Sequence, residues 1–155
     1  MIQLKRVLLP TDFSASARRA FAYAASFARE YGGELYLLHV IEVLPMGYAS
    51  ELFPAAMTQV VDEISSYARD ELQKLADEAL RMGCPTVQQR TGQGKPSSEI
   101  ARVAREESID MIVLGTHGHG VLNRALFGST ADGLMRKAPC PVLVCRLSEH
   151  EPAKE

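Results

Sequence analysis

Short unbroken apolar runs alternate along this chain with longer stretches in which apolar residues recur every three or four positions. Arg6–Pro10 and Leu35–Ile41 are runs of the first kind, and so are Asp110–Gly115 and Val142–Cys145. Such continuous runs suit parallel strands covered on both faces. Between the first two, Ala17, Phe21, Ala24, Ala28 and Tyr31 fall on one helical face, and Gly32-Gly33 ends the helix. A loop is expected from about 42 to 56, with Pro45, Gly47 and Pro54. A second helical face follows in Val61, Ile64, Ala68, Leu72, Leu75, Ala79 and Met82, closed by Gly83 and Pro85. Thr86–Thr91 alternates weakly and reads as a more exposed strand. Ile100, Val103 and Ala104 mark a short helix with Pro96 in its first turn. A glycine-rich loop runs to Gly128, then a helix spans Ser129–Lys137, with Arg136 and Lys137 suited to its C-terminal dipole. Pro139-Cys140-Pro141 breaks it before the last strand. The order β-α-β-α-β-α-β-α-β predicts an α/β domain with a parallel sheet, helices on both faces and right-handed crossovers.

Composition narrows the class. The 155 residues fit one domain: 46% are apolar and 23% charged, which excludes a disordered chain. The net charge of −2 gives no general attraction to nucleic acid or anionic membrane. No apolar run approaches the roughly 20 residues that span a bilayer. Met1–Pro10 is too short in its apolar part for a signal peptide, and three cysteines, an odd number, argue against a disulfide scaffold. The expectation is a soluble cytoplasmic protein, with residues 1–147 as one domain and 148–155 as a polar, frayed tail.

In parallel sheets of this kind, ligands bind beyond the carboxyl ends of the strands, where the winding reverses. The loops after Leu9, Val40 and Leu114 are therefore the places to look. The last of these, Gly115–Thr130, carries most of the candidate chemistry. Gly115 and Gly118 would let backbone turn sharply and approach a ligand. Gly128-Ser129-Thr130 would present backbone N–H groups and two hydroxyls at a helix N-terminus, which favours phosphate. The residues alone leave a second reading open, in which Ser129 only caps its own helix. Likewise Asp12, just past the first strand, is either a ligand group or a turn former, and His39 is a core or pocket-edge histidine. Gly92–Ser97 imitates a phosphate-binding loop, but proline follows its lysine. Gly118-His119-Gly120 lacks the third glycine of the dinucleotide fingerprint, since Asn123 stands there. His117, His119 and the cysteines have no zinc-finger spacing.

Gly115-x2-Gly118-x9-Gly128-Ser129 resembles the nucleotide-binding pattern of the universal stress protein family. Val7–Ser14 is similar to that family's first strand and acidic turn, Leu37–Val40 to its second strand, and Pro139–Val144 to its closing strand. The resemblance covers nearly the whole chain. It implies five parallel strands in the order 3-2-1-4-5 and a site for ATP or another adenine nucleotide, with or without Mg2+. Pro10, Thr11 and Asp12 would line the adenosine side, with Asp12 accepting from ribose hydroxyls. Val40 would offer backbone groups to the adenine edge, and Leu114 and Gly115 would contact the sugar end. Gly118, His119, Gly128, Ser129 and Thr130 would hold the phosphates. His119 departs from the Lys or Arg frequent at its position in the family.

No Ser/His/Asp or Cys/His constellation is legible, and no carboxylate is clearly placed to activate water on a γ-phosphate. The expected function is therefore an ATP-binding module of stress response or signalling. The alternatives are a slow ATP-hydrolysing or nucleotidyl- or phosphoryl-transferring enzyme on the same fold, and a ligand-free interaction protein, against which the glycines argue. No metal site from protein side chains is expected. A homodimer through the apolar edge strand, using Val142, Leu143 and Val144, is expected from its unpaired backbone and from the resemblance.

Overall fold

The computed structural model describes residues 1–42, 53–116 and 128–146. Their elements are β1 (Arg6–Pro10), α1 (Ala15–Glu30), β2 (Glu34–Ile41), α2 (Pro54–Arg81), β3 (Thr86–Gln93), α3 (Pro96–Glu106), β4 (Met111–Gly115), α4 (Ser129–Lys137) and β5 (Val142–Cys145). The strands form one sheet in the order β3-β2-β1-β4-β5, and every neighbouring pair is parallel.

Strand alternation explains why the apolar runs are unbroken. Val7, Leu9, Leu35, Leu37 and Val113 point to the face covered by α1 and α2, against Phe21, Ala24, Leu72 and Ala76. Leu8, Tyr36, Leu38, Ile112 and Leu114 point to the opposite face, against Ile100 and Ala104 of α3 and Leu134 of α4. A strand covered on both sides has no solvent face to fill with polar residues. Burying each such side chain is worth about 1.5–3 kcal/mol, so the two layers hold the sheet from both sides.

The elements differ from the expected ones in ways that packing explains. β3 runs to Gln93, two residues beyond the alternating segment, because β2 continues alongside it and pairs Ile41 with Gln93. β3 is half-exposed, as its weak alternation suggests. Tyr31 is the cap residue of α1 rather than part of it. Asp110 precedes β4, and its carboxylate accepts from the backbone N–H groups of Lys5 and Arg6 at 2.8 and 2.9 Å. α2 starts at Pro54, inside the expected loop, and is 28 residues long. Only its C-terminal half is buried: Ala68, Leu72, Leu75, Ala76 and Ala79 pack inward. Val61 and Ile64, on the expected apolar face, remain 41% and 43% exposed. At the end of α1, Gly32 takes a left-handed φ of +63°, and Gly33 lies so close to the backbone of Leu4 and Lys5 that no Cβ fits.

Candidate functional site

The sheet itself opens a crevice. The ladder between β1 and β4 joins only Val7 to Met111 and Leu8 to Ile112. Beyond that point β4 stays with β5, and β1 stays with β2. The split lies at the carboxyl ends of β1 and β4, where the winding reverses, the position that favours ligand binding in such sheets. A cleft of about 470 Å3 occupies it.

Every predicted site residue among those described lines this cleft: Pro10, Thr11 and Asp12 after β1, Val40 in β2, Leu114 and Gly115 at the end of β4, and Gly128, Ser129 and Thr130 at the start of α4. Gly118 and His119 lie outside the described residues. Adjacency in the sheet accounts for the convergence of groups more than a hundred residues apart.

The turn after β1 is held by its own side chains. Thr11 N–H donates to the Leu38 carbonyl at 2.8 Å, and the Thr11 hydroxyl accepts from Phe13 N–H at 3.0 Å. Asp12 Oδ1 accepts from Ser14 N–H at 3.0 Å, and Ser14 Oγ caps α1 by accepting from Ala17 N–H at 3.2 Å. Phe13 sits at φ +63°, a conformation uncommon for bulky residues. Its ring stacks on His39 with centroids 4.8 Å apart and meets Tyr67 of α2 edge-on at 6.0 Å. Asp12 therefore forms this turn and also lines the cleft.

Val40 exposes backbone for a simple reason. The Leu38 carbonyl points to β1, where it receives Thr11 N–H, and the Ile41 carbonyl points to β3, where it receives Gly94 N–H. Val40, two residues beyond Leu38, thus points its backbone to the β1 side. β1 has ended there, since its last partner in the ladder is Leu38.

At α4 the cap position is Gly128, at φ −59° and ψ 158°, and no side chain caps the helix. Ser129 is the first helical residue, so it does not cap α4 as the open alternative had it. Gly128 N–H donates to the Thr116 carbonyl at 2.9 Å, and Thr116 N–H donates to the Cys145 carbonyl at 3.0 Å, which ties the helix start to β4 and β5. α3 also begins without a side-chain cap, at Lys95. Pro96 and Ile100 bring this helix to the same cleft. Two helix N-termini without side-chain caps thus border the cleft, a feature that favours anions, while the carboxylates of Asp12 and Glu42 also line it.

Gly115 is required by packing rather than by a turn. A Cβ there would collide with the Ser16 hydroxyl and lie 2.6 Å from the Ser16 carbonyl carbon and 2.7 Å from its oxygen. The glycine lets β4 run against the first turn of α1.

Several lining residues escaped the reading of the sequence. Thr116 directly follows β4, a strand at the switch point, and that topological rule would have found it, whereas Pro96 and Ile100 come from the helix after the edge strand β3. Glu42 falls in the loop after Val40, already one of the places to look, whereas Ile64 reaches the cleft from α2 and no local signal marks it. Among the described residues no group of three or more metal-ligating side chains is clustered. No described helix is long and apolar enough to cross a membrane.

A doubly wound parallel sheet with a crevice at its switch point, bordered by two helix N-termini, defines the class. The chain belongs to the universal stress protein family, whose profile matches residues 3–146. It is 32% identical over 149 residues to a universal stress protein of Methanocaldococcus jannaschii, covering 95% of this chain and 85% of that one. The fold is similar to universal stress protein UspA from Lactobacillus plantarum, with TM-score 0.85 and 26% identity over 94% of this chain and all of that one. It is also similar to the universal stress protein from Archaeoglobus fulgidus solved in complex with dAMP, with TM-score 0.65 and 25% identity over 94% and 99% of the two chains.

Proposed function

We propose that the cleft binds an adenine nucleotide, ATP first among them, and that the protein belongs to the ATP-binding branch of its family as a module of stress response or signalling. The observation that carries this reading is the convergence of all nine described candidates on one crevice with uncapped helix N-termini. The Archaeoglobus fulgidus relative in complex with dAMP supports an adenine nucleotide as the ligand class. In this reading the unpaired backbone of Val40 meets the adenine edge, a donor and an acceptor side by side. Asp12 accepts from the ribose. Leu114 and Gly115 flank the sugar. Gly128, Ser129 and Thr130, with Gly118 and His119 of the preceding loop, hold the phosphates. Mg2+ would accompany the phosphates through their own oxygens and water.

The nucleotide-binding domain in this proposal is residues 1–147, the compartment is the cytoplasm, and the working form is a homodimer paired through β5. Among the described residues that strand lies at the sheet edge and pairs only with β4, and Val142, Leu143 and Val144 are partly exposed.

The test is calorimetric titration of ATP into wild type and Gly118→Val, with mass spectrometry of any small molecule released from freshly purified, denatured protein. Micromolar ATP binding that the variant loses while keeping its circular dichroism supports the site. A folded wild type that binds no adenine nucleotide and releases none refutes it. Analysis of ATP after prolonged incubation separates binding from slow hydrolysis.

A further inference from the structure

His39 lines the cleft immediately before Val40, yet nothing above gives its ring a task. Its Nδ1 lies 2.8 Å from the Thr11 carbonyl oxygen. A carbonyl oxygen only accepts, so Nδ1 carries the proton and donates. In the neutral ring Nε2 is then a bare acceptor. The ring is held twice over: the Thr11 bond sets which nitrogen donates, and stacking on Phe13, 24° from parallel, fixes the plane of the ring. Among the described residues nothing hydrogen-bonds to Nε2. A half-buried acceptor without a partner among the described residues, on a ring held beside an open cleft, is complementary to a ligand donor.

We propose that His39 is a specificity-determining residue of the cleft, whose Nε2 accepts an N–H of the exocyclic amino group of a bound adenine. This rests on the adenine-nucleotide reading of the site. Val40 alone would engage one amino hydrogen through its carbonyl, and the amino group has a second. A purine with a carbonyl at that ring position, such as hypoxanthine, would set an oxygen lone pair against the Nε2 lone pair. His39 therefore raises selectivity for adenine over hypoxanthine and leaves sugar and phosphate recognition untouched. Phe13 is the positioning residue: its left-handed backbone places the ring against His39.

The experiment is paired calorimetry with ATP and ITP on wild type, His39→Phe and His39→Gln. His39→Phe keeps an aromatic ring to stack on Phe13 and removes both nitrogens; His39→Gln restores an acceptor near the position of Nε2. Loss of one hydrogen bond should lower the ATP-to-ITP affinity ratio roughly three- to tenfold in His39→Phe, with partial recovery in His39→Gln. Wild-type protein labelled with 15N-histidine gives an independent reading that needs no variant. A resonance of the Nδ1–H tautomer should shift at its Nε2 when ATP is added, and much less with ITP. Equal losses for ATP and ITP in a folded variant, or an Nε2 response identical for the two nucleotides, would overturn the role of His39 while leaving the nucleotide site standing. A wild type that binds neither nucleotide would overturn both.

Discussion

Replacing Gly115 by alanine adds one methyl group where the structure has no room for it. The new Cβ would lie 2.6 and 2.7 Å from the carbonyl carbon and oxygen of Ser16, and closer still to the Ser16 hydroxyl. Ordinary contacts of this kind need about another ångström. A hydroxyl alone would rotate away, but the carbonyl belongs to the first turn of α1, a helix that Ser14 caps and that packs on β1 and β4 through Ala20, Phe21 and Ala24. Either α1 shifts or the end of β4 does, and overpacking of that kind costs typically 1–3 kcal/mol. For about 2 kcal/mol in a domain of this size, Tm should fall by roughly 4–8 °C. Urea unfolding followed by circular dichroism should show a lower midpoint at an unchanged slope. Gly115 also lines the cleft, so ATP affinity should fall with stability. Adding Ser16→Ala tests the cause: it removes the hydroxyl without the helix penalty of glycine and leaves the backbone carbonyl, so the double variant should recover little. A folded Gly115→Ala protein with wild-type Tm would refute the packing account, and full recovery in the double variant would place the clash in the hydroxyl alone.

Replacing both Ser129 and Thr130 with alanine should weaken ATP far more than adenosine by calorimetry, because α4 is capped at Gly128 and neither hydroxyl supplies that cap; equal losses for the two ligands would exclude phosphate contacts. Arg102 donates to both carboxyl oxygens of Glu99, at 2.5 and 2.9 Å, and this pairing holds the Glu99 carboxyl below its ordinary range. A lowered native value means stability that is present above the ordinary carboxylate range and is lost as pH falls through the lowered value, so Glu99→Gln should flatten the acid limb of stability against pH in chemical unfolding, and an unchanged limb would count against the pair. Burial raises the thiols of Cys84, Cys140 and Cys145, so all three should react slowly with a thiol reagent at neutral pH until denaturant is added. Val144→Glu should shift the protein from dimer to monomer by light scattering; a wild-type monomer at tens of micromolar, or an unaffected dimer in the folded variant, would remove the β5 interface.

The apolar runs of β1, β2, β4 and β5 and the 3–4 spacing in α1 were legible directly, because burial on two faces leaves a continuous run and burial on one helical face leaves a period. The places where ligand chemistry could gather were legible for a related reason: glycines, a helix start and a strand end lie next to one another in sequence, and parallel topology sends all such loops to one edge of the sheet. Local pattern could not say where packing stops. The apolar period of α2 continues through Val61 and Ile64, but its buried residues begin at Ala68, and no residue spacing reports the extent of a neighbouring layer. Nor could it identify contacts made across the chain. Gly115 is glycine because of Ser16, and Ser129 does not cap because Gly128 already occupies the cap position. The proton on His39 is assigned by a carbonyl 28 residues away, at Thr11. Sequence determined which segments are strands and helices, since those depend on neighbours within a turn or two. The tertiary structure decided which residues line the cleft and which nitrogen of His39 donates, since those depend on which distant backbone arrives beside them.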